Sequence, residues 1–178
     1  MENRYTFKAI AIKTKFGAIW GIAGVVLLLG SAAYRLCPLF VDSFNQHYHW
    51  YHWLSLVIFI IFMIYYEGIK GFQRSFSPRV AARAKHLAQN PTVSHTILAP
   101  LFCMGYFHAT KKRIISSTVL TCVILLLIFI TAQLTQPWRG IVDAGVVTGL
   151  LWGAASTLYY GFSAFYSNEF AYSADLPN

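Results

Sequence analysis

Charge is what this chain has least of. Only 11% of its 178 residues are Asp, Glu, Lys or Arg, where a soluble domain carries about a quarter. Acidic residues are scarcest, 6 against 14 Lys and Arg. Cysteine is rare as well: three residues, an odd number widely spaced, which excludes a disulfide scaffold. No Gly-rich phosphate loop, Ser elbow or paired-Cys motif occurs, so the usual nucleotide-binding and nucleophile signatures are missing. What fills the chain instead is apolar: 57% hydrophobic, 17% aromatic, mean hydropathy +0.52. So apolar a composition excludes a disordered chain and points to one compact integral membrane unit. The net charge of +8 would suit nucleic acid. In a membrane protein, however, basic residues set topology and meet lipid headgroups, so the expected partners are membrane lipids and not nucleic acid.

Crossing about 30 Å of hydrocarbon takes roughly 20 apolar residues, with about 17 as the lower limit. Four segments satisfy this. Phe16 to Tyr34 lies between Lys15 and Arg35, and Trp50 to Tyr66 ends at Glu67. Ile114 to Thr131 leaves Lys111, Lys112 and Arg113, and Ile141 to Phe162 follows a short turn, Gln136 to Gly140. Twelve of the fourteen basic residues fall in the N-terminal tail and the 67–113 connection, leaving Arg35 and Arg139 for the opposite side. The positive-inside rule therefore predicts both termini in the cytoplasm. The basic N-terminus with Ser31 and Ala33 also fits a cleavable signal peptide, but its apolar run exceeds the 7–15 residues typical of a signal core.

The 67–113 connection is the one sizeable stretch outside these spans. Ser77 before Pro78 reads as a helix start and Asn90-Pro91 as its stop. Within that helix Arg79, Arg83 and His86 share one face, while Val80, Ala84 and Leu87 share the other. This is the pattern of a basic amphipathic helix on a membrane surface, with the cationic face available to lipid headgroups or an acidic partner. Ile97 to Ala109 is too short to span and reads as an interfacial or re-entrant element.

Few residues are candidates for chemistry. His47, His49 and His52 stand before the second span, and imidazole suits zinc or copper. Their neighbours Tyr48, Trp50, Tyr51 and Trp53 favour an interfacial aromatic belt instead, so neither metal nor any other cofactor is expected. Glu67 and Asp143 are the candidate proton or ion site. Their places at opposite ends of their spans predict a separation of about 25 Å, and each has a ready ion-pair partner, Lys70 and Arg139. Cys37, Cys103 and Cys122 are expected at three different depths, too far apart for a disulfide. Gly17, Gly21 and Gly24 in the first span, and Gly145, Gly149 and Gly153 in the fourth, predict that these two helices pack closely on each other, with a homo-oligomer as the alternative.

Glu67-Gly68, Gly71-Phe72-Gln73, Phe76-Ser77-Pro78-Arg79, Ala99 to Gly105, Phe107 to Thr110 and Gln136 to Gly145 carry a further signal. From the second span to the fourth the chain resembles a group of small, uncharacterised bacterial inner-membrane proteins. The resemblance implies a bacterial inner membrane and a four-span layout, and no activity. The expected fold is thus all-α and polytopic: four transmembrane helices, a cytoplasmic amphipathic helix and a short interfacial segment. The expected role is a non-enzymatic accessory or assembly component, with a partner membrane protein or further copies of itself. The alternatives are a small oligomeric transporter or channel using Glu67 and Asp143, and a membrane enzyme or metal site at the outer histidines.

Overall fold

The computed structural model describes residues 2–166, 170 and 172–176, with side chains from Phe16 onward. Among these residues every regular element is helical: α1 (Glu2–Ser43), α2 (Trp50–Met63), a wider i→i+5 π-helical segment (Ile64–Phe76), α3 (Ser77–Gln89), α4 (Val93–Ile97), α5 (Ala99–Met104), α6 (Lys111–Ala132) and α7 (Trp138–Tyr166). Four helical stretches are long and apolar enough to cross a bilayer: Phe16–Ser43, Trp50–Gln89, Lys111–Ala132 and Trp138–Tyr166. The protein is an all-α polytopic membrane protein.

Two of the spans outrun their expected ends. The first passes through Arg35 and Pro38 to Ser43 without a break. Its last turns are held by α7: Gln136 Nε2 donates to the Leu39 carbonyl at 3.1 Å while Gln136 Oε1 accepts from the Gly140 amide at 3.1 Å. The second does not stop at Glu67. Nothing between Trp50 and Gln89 breaks it; the chain widens into the π segment and returns to α-winding at Ser77, with Pro78 in the first turn where its missing N–H is harmless. The Ser77 hydroxyl is not the expected helix cap. It bonds across to Ser156 and Thr157 on α7, both at 3.0 Å. The stop at Asn90-Pro91 is where the sequence places it.

Central in the bundle, α7 fixes the depth of everything beside it. A side chain on Gly140 would run into Ser43 of α1, and one on Gly161 would meet Ile22 at 2.9 Å, so α1 and α7 lie antiparallel along this length. From Gly140 to Gly161 α7 rises about 31 Å, the thickness of the hydrocarbon core. Within it α2 and the π segment cross the other flank of α7: Gly145 faces Phe59 and Met63, Gly149 faces Glu67, and Gly153 faces Phe72. The small residues therefore do not pack on one another as expected. Those of α7 at 145, 149 and 153 receive the second helical run, and those of α1 at 17, 21 and 24 receive Thr96, Cys103 with Ala99, and Pro100.

The core joins Ala18, Ile22, Val25 and Leu29 of α1, Val80, Ala84 and Leu87 of α3, and Ala99, Phe102 and Cys103 of α5. The 97–109 stretch is thus two short helices meeting at Leu98, laid against the α1 glycines and closed by Gly105 at φ 83, a left-handed turn that glycine alone adopts freely. In contrast α6 stands apart. It touches the rest near its start, through Ser117 to the Met104 carbonyl at 3.1 Å and Tyr106 to Thr121 at 2.5 Å. From Val119 to Ile130 it is apolar and exposed on nearly every side, as a lipid-facing span must be.

Candidate functional site

Glu67 is not at the membrane edge. Gly149, which it touches, lies about 14 Å along α7 from Gly140 and about 18 Å from Gly161, so the carboxyl stands near the middle of the apolar length. Apolar side chains exposed around it, Val57, Ile58, Ile61 and Phe62 toward the outer end and Leu27, Leu151 and Leu158 toward the inner, mark the same slab. A methyl group on Gly149 would come within 2.7 Å of Glu67 Oε2, so glycine there is what makes room for the acid. The expected Lys70 partner is turned away: its ammonium rests 4.8 Å and 4.9 Å from the Tyr65 and Tyr66 ring centroids. Among the described residues no hydrogen bond or ion pair reaches Glu67.

Asp143 is buried near the outer end of α7, and Arg139 Nε is 3.7 Å from its Oδ2, an i,i+4 contact too long for a hydrogen bond. Neither of these two buried atoms has a hydrogen-bond partner. The 25 Å separation from Glu67 is wrong. Asp143 and Gly149 are about 9 Å apart along the axis, because the second helical run continues past Glu67 beside α7, yet about 120° apart around it. The two acids therefore sit at neighbouring depths on different helix interfaces and form no acid–base pair.

At the outer rim His52 is buried, edge-on to the Trp138 ring at 5.0 Å and to Tyr51 at 4.2 Å, and its Nδ1 accepts the His49 amide at 3.2 Å, closing the start of α2. His49 stacks on Tyr51 at 5.4 Å and His47 is exposed in the connection. No group of three His, Cys, Asp or Glu among the described residues is arranged to hold a metal ion.

The inner end departs most from expectation. α3 is not a surface helix: Val80, Ala81, Ala82, Arg83 and Ala84 are all buried. Arg83 faces inward, 1% exposed, with its guanidinium 4.2 Å from the Phe102 ring centroid. It donates to four carbonyls: Phe102 at 2.6 Å, Ala174 at 2.7 Å, and Phe107 and His108 at 3.0 Å each. Its donors being used within the chain, it is not offered to headgroups or a partner. Arg79 bonds Ser75 at 2.6 Å, and half-buried His86 lies near Asn90, 3.5 Å away. Around Phe102 His95 and His108 come together, ring centroids 4.7 Å apart. Desolvation, then the nearby His108, Arg83 and His86, holds the His95 imidazole below its ordinary value. Burial pushes the Cys103 thiol up to about 12 although Arg83 opposes it, so it stays protonated and unreactive. Cys37 and Cys122 are exposed, and all three cysteines are free.

The arrangement defines a polytopic membrane protein with one ionisable group alone at mid-depth. No family model matches the chain, and no curated protein or solved structure is similar to it. Sequence reasoning missed that Lys70 and Arg74 lie within the slab with Glu67, and that Arg83 points inward. The absence of a strong helix breaker between Tyr66 and Ser77 was the available signal for the first. For the second there was none, since the carbonyls that hold Arg83 come from residues 19 to 91 positions away.

Proposed function

We propose that this is a non-enzymatic integral membrane protein that takes up and releases a proton, or a small cation in its place, at Glu67. The observation that carries the reading is the Glu67 carboxyl seated against Gly149 near mid-depth with no cation or hydrogen-bond donor beside it. A carboxylate left charged there is strongly disfavoured, so the group rests protonated or ion-bound and changes state only when water or an ion reaches it. Intramembrane acids are rare because they are expensive to insert, and those retained mark ion pathways more often than structural pairs. Asp143 is a weaker candidate, since Arg139 already lies against it. The proposed setting is a bacterial inner membrane with both termini cytoplasmic, supported by the concentration of Lys and Arg in the tail and the 67–113 connection.

The test is proton flux into liposomes holding the purified protein, with a potassium diffusion potential as driving force and a trapped pH dye as readout. Flux above empty liposomes that falls at least tenfold in Glu67→Gln, and persists in Asp143→Asn, is expected. Flux unchanged in Glu67→Gln, or none from folded wild-type protein, overturns the reading in favour of the accessory or assembly role.

A further inference from the structure

The side of the π segment turned away from α7 carries Tyr65, Tyr66, Lys70 and Arg74, all exposed. Glu67 and Phe72 on the opposite side face Gly149 and Gly153, and Ser77 meets Thr157, which places Lys70 and Arg74 between the depths of Gly149 and Thr157. On α7 these lie about 14 Å and 26 Å from Gly140, inside the hydrocarbon slab. Two cations at that depth cannot be left to acyl chains; they need a counter-charge or water. The chain supplies none: Lys70 has only the Tyr65 and Tyr66 rings, and no ion pair reaches Arg74 among the described residues.

We infer that this face docks a transmembrane helix of a different protein, one that presents an Asp or Glu side chain at the depth of Lys70 and Arg74. The inventory of acids excludes a second copy as the source of that carboxylate. Only six exist in the chain. Glu67 is turned onto Gly149 and Asp143 is buried against Arg139, while Asp42 stands at the outer end of α1 and Asp175 in the inner C-terminal segment. Glu2 and Glu169 precede and follow the spans in sequence. No surface of one molecule therefore offers a mid-depth carboxylate to the cationic face of another. The partner helix gains a charge-assisted contact with both cations, and Tyr65 and Tyr66 offer flat, amphipathic surface beside it. The inference is independent of the ion reading of Glu67, which points the other way.

A leucine-rich transmembrane peptide with one central Glu, and its Gln counterpart, are the probes. Energy transfer is measured from N-terminally labelled full-length protein in phosphatidylcholine vesicles. The Glu peptide is expected to reach half-saturation at a peptide-to-lipid ratio at least tenfold lower than the Gln peptide. That advantage disappears in Lys70→Leu/Arg74→Leu, survives in Arg74→Lys, and in Lys70→Glu/Arg74→Glu passes to a peptide with a central Lys. Equal binding of the Glu and Gln peptides overturns the proposal. So does strong transfer between two labelled copies that the Glu peptide cannot displace, which would make the occupant a second copy. Loss of the Glu advantage when phosphatidylglycerol is added would make it an anionic headgroup, and equally overturns it.

Discussion

Arg83 sits among the alanines of α3 and is wholly enclosed, a position at which an isolated charge would be intolerable. Four carbonyls and the face of Phe102 replace its water, and through them one side chain ties α5, the loop before α6 and the C-terminal segment to α3. Charge-assisted hydrogen bonds contribute about 1.5–3 kcal/mol each, and the carbonyls they satisfy are unfavourable to leave unpaired. Arg83→Met should therefore lower stability in detergent by at least about 3 kcal/mol, with Arg83→Lys in between because an ammonium lacks the planar fork. Chymotrypsin should also cut the variant at Tyr172 faster than the wild type. A variant that melts with the wild type and resists cleavage equally would show that the guanidinium does not hold this end together.

The helices meet through glycine only where another element has to come close. Gly140 is the tightest such place, directly against the Cβ of Ser43 at the outer end of α1 and α7, whereas Gly30, inside α1, has nothing within 4 Å of where a methyl would go. The same substitution should thus act in opposite directions. Gly30→Ala relieves the backbone-entropy penalty of a mid-helix glycine and should stabilise by about 0.5–1 kcal/mol. Gly140→Ala forces α1 and α7 apart and should destabilise by about 1–3 kcal/mol. Thermal unfolding of the two variants in one detergent decides it, and a loss in both would mean that Gly30 is also at a contact. The register of α7 on the second run explains the π winding in the same terms. Contacts at Phe59, Met63, Glu67, Phe72 and Ser77 step by four and then five residues, so the wider helix keeps one face on α7 beyond Glu67.

For the molecule as a whole, an even number of spans puts both ends on one side, and the charge rule makes that side cytoplasmic. In intact cells Asn45→Cys, in the connection between α1 and α2, should react with a membrane-impermeant maleimide. Thr92→Cys, exposed before α4, should react only after permeabilisation; the reverse pattern would invert the topology. Four spans, their approximate centres and the stop at Asn90-Pro91 were legible because run length, loop charge and helix-terminating residues are local properties of a chain. Where the second span ended was not, because Tyr66 to Ser77 holds charges that locally read as a membrane exit while the backbone remains helical beside α7. The depth of Glu67 depends on Gly149, the direction of Arg83 on carbonyls as far away as Ala174, and the packing of the α1 glycines on a loop some eighty residues later. Each of these is set by the register at which distant helices lie together. Periodicity within one helix gives the direction of a face but carries no information about which neighbour covers it or at what height.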